Sequence, residues 1–238
     1  MMHGLDYAVA LMLILTCHEF GHYFAARHYR VGASLPYFLP SPFLLGTFGA
    51  VIRMSPYIPN RKALFDIASA GPIAGLVVAL PVSFWGLMHS TVYSGTRPGT
   101  IELGEPLVFQ AMQWMIFGSL PDGQQVLLHD VAFAGWVGMF VTALNLLPIS
   151  QLDGGHVVYS VFSTKSRYVS TGAFAALGLV VLTGGLSYLL FLLLLWWLGI
   201  NHPPTLNDGP DIGKQRRILA AVLLVVFIVC FTPSPLKI

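Results

Sequence analysis

Apolar residues along this chain are gathered into long runs separated by short polar stretches. A helix needs about 20 apolar residues to cross the hydrocarbon core of a bilayer. Six runs approach that length: roughly 5–26, 63–89, 129–147, 168–183, 186–200 and 217–232. Pro148 should bend or break the third, because proline cannot donate its backbone N–H and clashes with the preceding turn. The fourth and fifth are short and are separated only by Thr183, Gly184 and Gly185. Residues 106–120, "PLVFQAMQWMIFGSL", are apolar but too short to span comfortably, which predicts an interfacial or re-entrant segment.

This pattern predicts an all-α polytopic membrane protein with about six transmembrane helices. Composition agrees: 55% of the 238 residues are hydrophobic and only 9% are charged, against about 25% charged in soluble domains. A net charge of +2 gives no reason to expect a nucleic-acid partner. Cys17 and Cys230 both lie in apolar runs and read as small buried hydrophobes. The first apolar run has no A-x-A site, so no cleavable signal peptide is expected.

Lysine and arginine favour cytoplasmic loops. With the N-terminus outside, Arg27, Arg30, Arg53, Arg61, Lys62, Lys165, Arg167, Lys214, Arg216 and Arg217 fall inside, and only Arg97 and Lys237 fall outside. The expected protein is therefore multi-pass, with its first run ending on the cytoplasmic side.

Against that background, "HEFGH" at the end of the first run is out of place, because ionisable groups inside a membrane are costly. His18 and His22 are four apart and share one helix face. Together with Glu19 they form H-E-x-x-H, in which two histidines bind zinc and the glutamate acts as general base. Catalytic zinc normally takes a third protein ligand. Of the ten acidic residues, most fall in loops or at helix ends, and Asp66 sits beside Arg61 and Lys62. Asp153 remains as the candidate; the alternative reading makes it the N-cap of a helix beginning "GGHVVYSVF". His156 reads as a residue behind the ligands or a structural one. His28, His89, His129 and His202 fall in loops or at interfaces, where solvation is the default.

"HEFGHYFAARHYRVG", "ASAGPIAGLVVAL" and "NLLPISQLDGG" together resemble the site-2 protease family of intramembrane zinc metalloproteases. The resemblance covers residues 5–163. It implies a catalytic core over 1–163, with additional transmembrane helices over 164–238 in one integral membrane domain. It implies one zinc per chain held by His18, His22 and Asp153, with Glu19 as base. Asn145 carries over as a polar group near the site, steadying a developing oxyanion or making a helix–helix hydrogen bond. The implied reaction cuts a peptide bond in or near a transmembrane segment of a membrane-protein substrate, with the active site toward the cytoplasm, at the plasma membrane in a bacterium. The expected partners are that substrate and the lipid bilayer, and the oligomeric state is left open. Two departures stand out. Many members have a helix before the H-E-x-x-H helix, and some carry a PDZ domain for which residues 90–128 are too few.

Residues Gly46, Thr47, Phe48, Gly49, Ala50, Val51, Ile52, Arg53 and Met54 predict a small membrane-associated β segment after the first helix. Thr47, Val51 and Ile52 favour a strand, and the glycines permit close backbone approach. Such a strand could hold an extended substrate by strand addition; the alternative is a re-entrant loop packed under the helices. Two other functions remain: a metal-ion transporter, which should string its ligands along several spans, and a non-catalytic membrane-protein-binding scaffold, which should lack a ligand or the base. The charge pattern gives a direct test of topology. Single cysteines at Ser94 and Ser166, in a background without the native cysteines, should label from opposite sides of the membrane.

Overall fold

The computed structural model describes residues 3–40, 47–95, 102–121, 123–183 and 186–237. The chain begins with α1 (His3–His28), followed by β1 (Tyr37–Pro40), β2 (Thr47–Val51) and α2 (Arg61–Met88). Next come β3 (Thr91–Ser94), β4 (Glu102–Leu103), α3 (Leu107–Phe117) and β5 (Gln124–Leu127). The second half holds α4 (Asp130–Asn145), α5 (Asp153–Phe162), α6 (Ser166–Leu182), α7 (Leu189–Leu198), α8 (Lys214–Cys230) and β6 (Leu236–Lys237).

Each of the six predicted runs contains a helix. By length and composition, two are able to cross a membrane, over Gly4–His28 and Arg61–Met88. The others are shorter: α4 has 16 residues, α6 and α8 have 17 each, and α7 has 10. The third run stops short because Asn145 is followed by a turn containing Pro148 and by Ser150 at φ 54°, and the chain resumes as α5. The predicted interfacial segment is α3, which buries Phe109 and Met112 and leaves Leu107, Trp114 and Met115 exposed.

The described residues are mostly helical, as expected, with three small antiparallel pairs: β1–β2 at the predicted β segment, and β3–β5 and β4–β6, which correct the expectation of helix alone elsewhere. β1–β2 joins the two arms of the α1–α2 connection and β3–β5 the two ends of the α2–α4 connection, whereas β4–β6 pairs the α2–α4 connection with the segment after α8. In each, backbone groups are satisfied across the pair. The predicted β segment is present but shorter than expected. Thr47–Val51 is the strand, Ile52 and Arg53 lie past its end, and Met54 makes only an isolated bridge with Ala33. Gly46 lies outside the described residues.

α1, α2 and α4 pack on one another and enclose the main apolar core, including Leu11, Ile14, Ala79, Leu87, Val137 and Met139. Close approach depends on small residues. A Cβ on Gly21 would stand 2.4 Å from the carbonyl oxygen of Ala70, and one on Gly86 would stand 2.2 Å from the backbone nitrogen of Ala132. α8 closes the bundle against α4, α3 and α5.

At one end of the bundle, polar side chains tie the helices together. Arg216 at the start of α8 makes a two-pronged pair with Asp66 of α2, at 2.8 and 2.7 Å. The hydroxyl of Tyr29, just past α1, donates to the same carboxylate. Asp66 thus faces Arg216, not the Arg61 and Lys62 beside it in sequence. The Arg61 guanidinium donates instead to the carbonyls of Ser160, Asp208 and Pro210, holding the 201–213 connection against the helices. This end carries Arg61, Lys62, Lys214, Arg216 and Arg217 in the first turns of α2 and α8.

Candidate metal centre

His18, Glu19 and His22 lie in the last three turns of α1 and are nearly removed from solvent, at 3%, 7% and 7% exposure. The helical repeat puts both imidazoles on the face that meets α2. The A-G-P element of α2 makes room for them. A Cβ on Gly71 would lie 2.0 Å from His22 Nε2, and one on Gly75 would lie 3.0 Å from His18 Nδ1. Pro72 has no N–H to offer the carbonyl of Ala68. In the preceding turn the Ile67 carbonyl accepts a hydrogen bond from His22 Nδ1 at 2.8 Å. That bond places the proton on Nδ1 and leaves Nε2 as a free electron pair, the usual way in which a metal-binding imidazole is oriented.

Asp153 arrives from the other side, at the start of α5. Leu152 occupies the N-cap position and Asp153 is the first helical residue, so the capping alternative is set aside. The glycines after it have a packing reason. A Cβ on Gly154 would stand 2.0 Å from the Leu146 carbonyl oxygen, and one on Gly155 would stand 2.3 Å from that of Ser150. The D-G-G sequence therefore lets α5 press against the turn that ends α4, which delivers the carboxylate to the histidines.

Three donor atoms converge. His18 Nε2 and His22 Nε2 are 3.2 Å apart, and each is 3.3 Å from Asp153 Oδ2. A ring nitrogen carries one proton or one lone pair and cannot serve two such partners as hydrogen bonds. The triangle has another explanation: four ligands at about 2.0 Å around a tetrahedral ion stand about 3.3 Å apart. Two neutral imidazoles and a carboxylate are also a donor set that suits zinc. Among the described residues, no other group of three or more His, Cys, Asp or Glu side chains lies close enough to hold an ion.

Around this triangle is a cavity of about 230 Å³. Glu19 lines it, as does Ile52. Asn145, the last residue of α4, also lines it, with its amide nitrogen 3.3 Å from His18 Nε2. Ala50, Val51 and Ile52 form one wall, which brings the predicted β segment to the site. His156 also lines the cavity.

Two histidines, His129 and His202, depart from the solvated default, while exposed His89 keeps to it. His129 caps α4, its side chain accepting from the N–H of Val131. The His89 ring stacks on Trp85. His202 bonds to His156 at 2.5 Å. The last pairing joins residues 46 apart in sequence, and nothing local announces it.

With this geometry in view, the comparisons with known proteins are decisive. The family model for peptidase family M50 matches residues 6–190. The chain belongs to peptidase family M50, the site-2 protease family. It is 34% identical over 239 residues to "Probable zinc metalloprotease EGY1, chloroplastic" of Oryza sativa subsp. japonica, covering 98% of this chain and 41% of that protein. It is 32% identical to the protein of the same name in Arabidopsis thaliana, covering 97% of this chain and 43% of that one. "Probable zinc metalloprotease EGY2, chloroplastic" of Arabidopsis thaliana is 28% identical, with 93% and 40% covered. The chain thus spans about two fifths of the length of these relatives. No solved structure matches.

The M50 chain owes its site to the space that Gly71 provides. Gly71→Ala should displace the His22 ring and lower bound zinc to well under half of the unsubstituted protein's content by elemental analysis. Gly178→Ala, at a position with nothing within 4 Å, should leave zinc content unchanged.

Proposed function

We propose that this chain is an intramembrane zinc metalloprotease that cuts a peptide bond in or near a transmembrane segment of a membrane-protein substrate. The observation that carries the reading is the 3.2–3.3 Å triangle of His18, His22 and Asp153 beside a buried Glu19. His18, His22 and Asp153 hold one zinc per chain, which when bound polarises the scissile carbonyl and acidifies the attacking water. Glu19 accepts that water's proton and returns it to the leaving amine. Asn145 projects an amide toward the same centre, where an N–H donor steadies negative charge on the carbonyl oxygen.

A helical substrate hides its peptide bonds in its own hydrogen bonds, so the segment to be cut must unwind. The exposed N–H and C=O groups then need partners away from water. β2, over Thr47–Val51, has β1 as its one strand partner among the described residues. Strand addition along its other edge would lay the substrate past Glu19. The remaining runs complete a six-span protein, with the site toward the Lys/Arg-rich, cytoplasmic side. Residues 1–163 form the catalytic core and 164–238 the additional helices.

The transporter alternative is disfavoured because the ligands form one compact cluster, and the scaffold alternative because both the base and the ligands are present. The test uses full-length protein in lipid nanodiscs and a dye-quencher peptide with one 20-residue apolar segment interrupted by Asn-Gly. Unsubstituted protein should hold about one zinc and cleave the peptide. Glu19→Gln should retain the zinc and lose at least 100-fold in rate. His18→Ala/His22→Ala should lose both. Stoichiometric zinc in that double variant, or normal cleavage by Glu19→Gln, overturns the assignment. Val51→Pro should keep zinc and lose cleavage; normal turnover by that variant removes β2 from the mechanism.

A further inference from the structure

The 201–213 connection is built onto the helix that bears Asp153. Leu206 N–H donates to the Ile58 carbonyl at 3.0 Å. The Tyr159 hydroxyl bonds the Asp208 carboxylate. Ile212 is buried against Phe65, Leu146 and Val157. So anchored, the connection lays the His202 ring on Tyr159 of α5, with ring centroids 4.3 Å apart and planes within 19°.

The proton positions around His202 follow from its neighbours. His202 Nδ1 lies 2.5 Å from the carbonyl of Pro203. A carbonyl only accepts, so Nδ1 carries a proton. Burial pushes the His202 pKa below the ordinary histidine value, which favours the neutral ring. Its Nε2 is then a bare lone pair, and it faces His156 Nδ1 at 2.5 Å. Two bare nitrogens would repel at that distance, so His156 Nδ1 donates. A neutral His156 ring is thereby locked in the tautomer whose Nε2 is an acceptor. Among the described residues Nε2 has no hydrogen-bond partner, and His156 lines the cavity that holds the metal triangle and Glu19.

An acceptor on that wall has a use in peptide cleavage. In a strand added to β2, alternate residues point their N–H and C=O groups away from β2. In a low-dielectric site each needs a partner. We propose that His156 binds the substrate, its Nε2 accepting a backbone N–H of the unwound segment, and that His202 is the positioning residue that keeps this nitrogen unprotonated. The inference rests on the protease reading and adds a substrate contact to it.

The test uses Glu19→Gln protein in nanodiscs, so that binding is measured without turnover, together with ¹⁵N NMR of labelled histidine side chains. In that background His156 should show the Nδ1–H tautomer, and His202→Ala should shift it toward Nε2–H. Affinity for the dye-labelled apolar peptide should fall about fivefold with His156→Ala, roughly what one hydrogen bond contributes. His156→Gln, which offers an amide oxygen, should recover part of the loss. His202→Ala should weaken binding, and adding it to His156→Ala should cost nothing further, because it acts only through His156. Zinc content should stay at one throughout. Equal binding with and without His156→Ala, an Nε2–H tautomer in the presence of His202, or zinc loss from His156→Ala overturns the proposal. Failure of unsubstituted protein to cleave while these binding differences persist counts against the protease reading alone.

Discussion

The structure depends on holding three water-seeking side chains against one another inside an apolar bundle. Asp153 lies 135 residues from His18 in sequence and on a different helix, yet the ligand atoms of His18, His22 and Asp153 lie within 3.3 Å of one another. Uncompensated, a buried carboxylate of this kind would cost several kcal/mol. The local architecture follows from avoiding that cost. Gly71 and Gly75 let α1 and α2 approach with two imidazoles between them. The chain breaks after Asn145 and restarts at Asp153, because a continuous helix through this stretch would carry the carboxylate past the histidines. Irregular backbone away from water is tolerable where it lines a cavity or is buried in protein. The turn at Pro148–Leu152 meets that condition, with Ile149 and Ser150 buried and Gln151 and Leu152 on the cavity.

A second set of polar contacts keeps the frame in register at the end nearest the site. Asp66, Arg216 and Tyr29 join α2, α8 and the residue after α1. Arg61 captures three carbonyls, two of them in the 201–213 connection. The fork geometry of arginine suits both tasks, since it satisfies several acceptors with one side chain. The helices that carry the metal triangle and the C-terminal part of the chain are therefore joined by directed bonds as well as by apolar packing.

Much of this was legible in the residues. Hydrophobic runs located the principal helices, because apolar length is a one-dimensional property. His18, Glu19 and His22 were legible because the helical repeat makes their proximity local. Asp153 could be singled out because acidic residues are few. What escaped depends on contacts between distant segments. Asp66 looked paired with its neighbours Arg61 and Lys62, but both carboxylate oxygens go to Arg216. His202 looked solvated and instead meets His156. The β4–β6 pair needs residues 102 and 237 to meet, and Gly104 there has no space for a side chain beside the backbone of Ser234. The lengths of α4 and α7 were overestimated because hydropathy does not register where a turn or a 3₁₀ segment interrupts the helix.

The Asp66–Arg216 pair has a consequence for the order in which the molecule is made. A chain emerges from the ribosome N-terminus first, and 149 residues separate these two positions. Asp66 leaves the ribosome long before its cation exists. Until Arg216 has been translated, this part-exposed end of α2 carries a carboxylate without its bidentate partner. The His202 brace on His156 likewise waits for residue 202. A nascent chain that already contains the complete metal triangle therefore still lacks the clasp across α2 and α8. The contacts that join α2 to α8 through Asp66 can form only once Arg216 has been added.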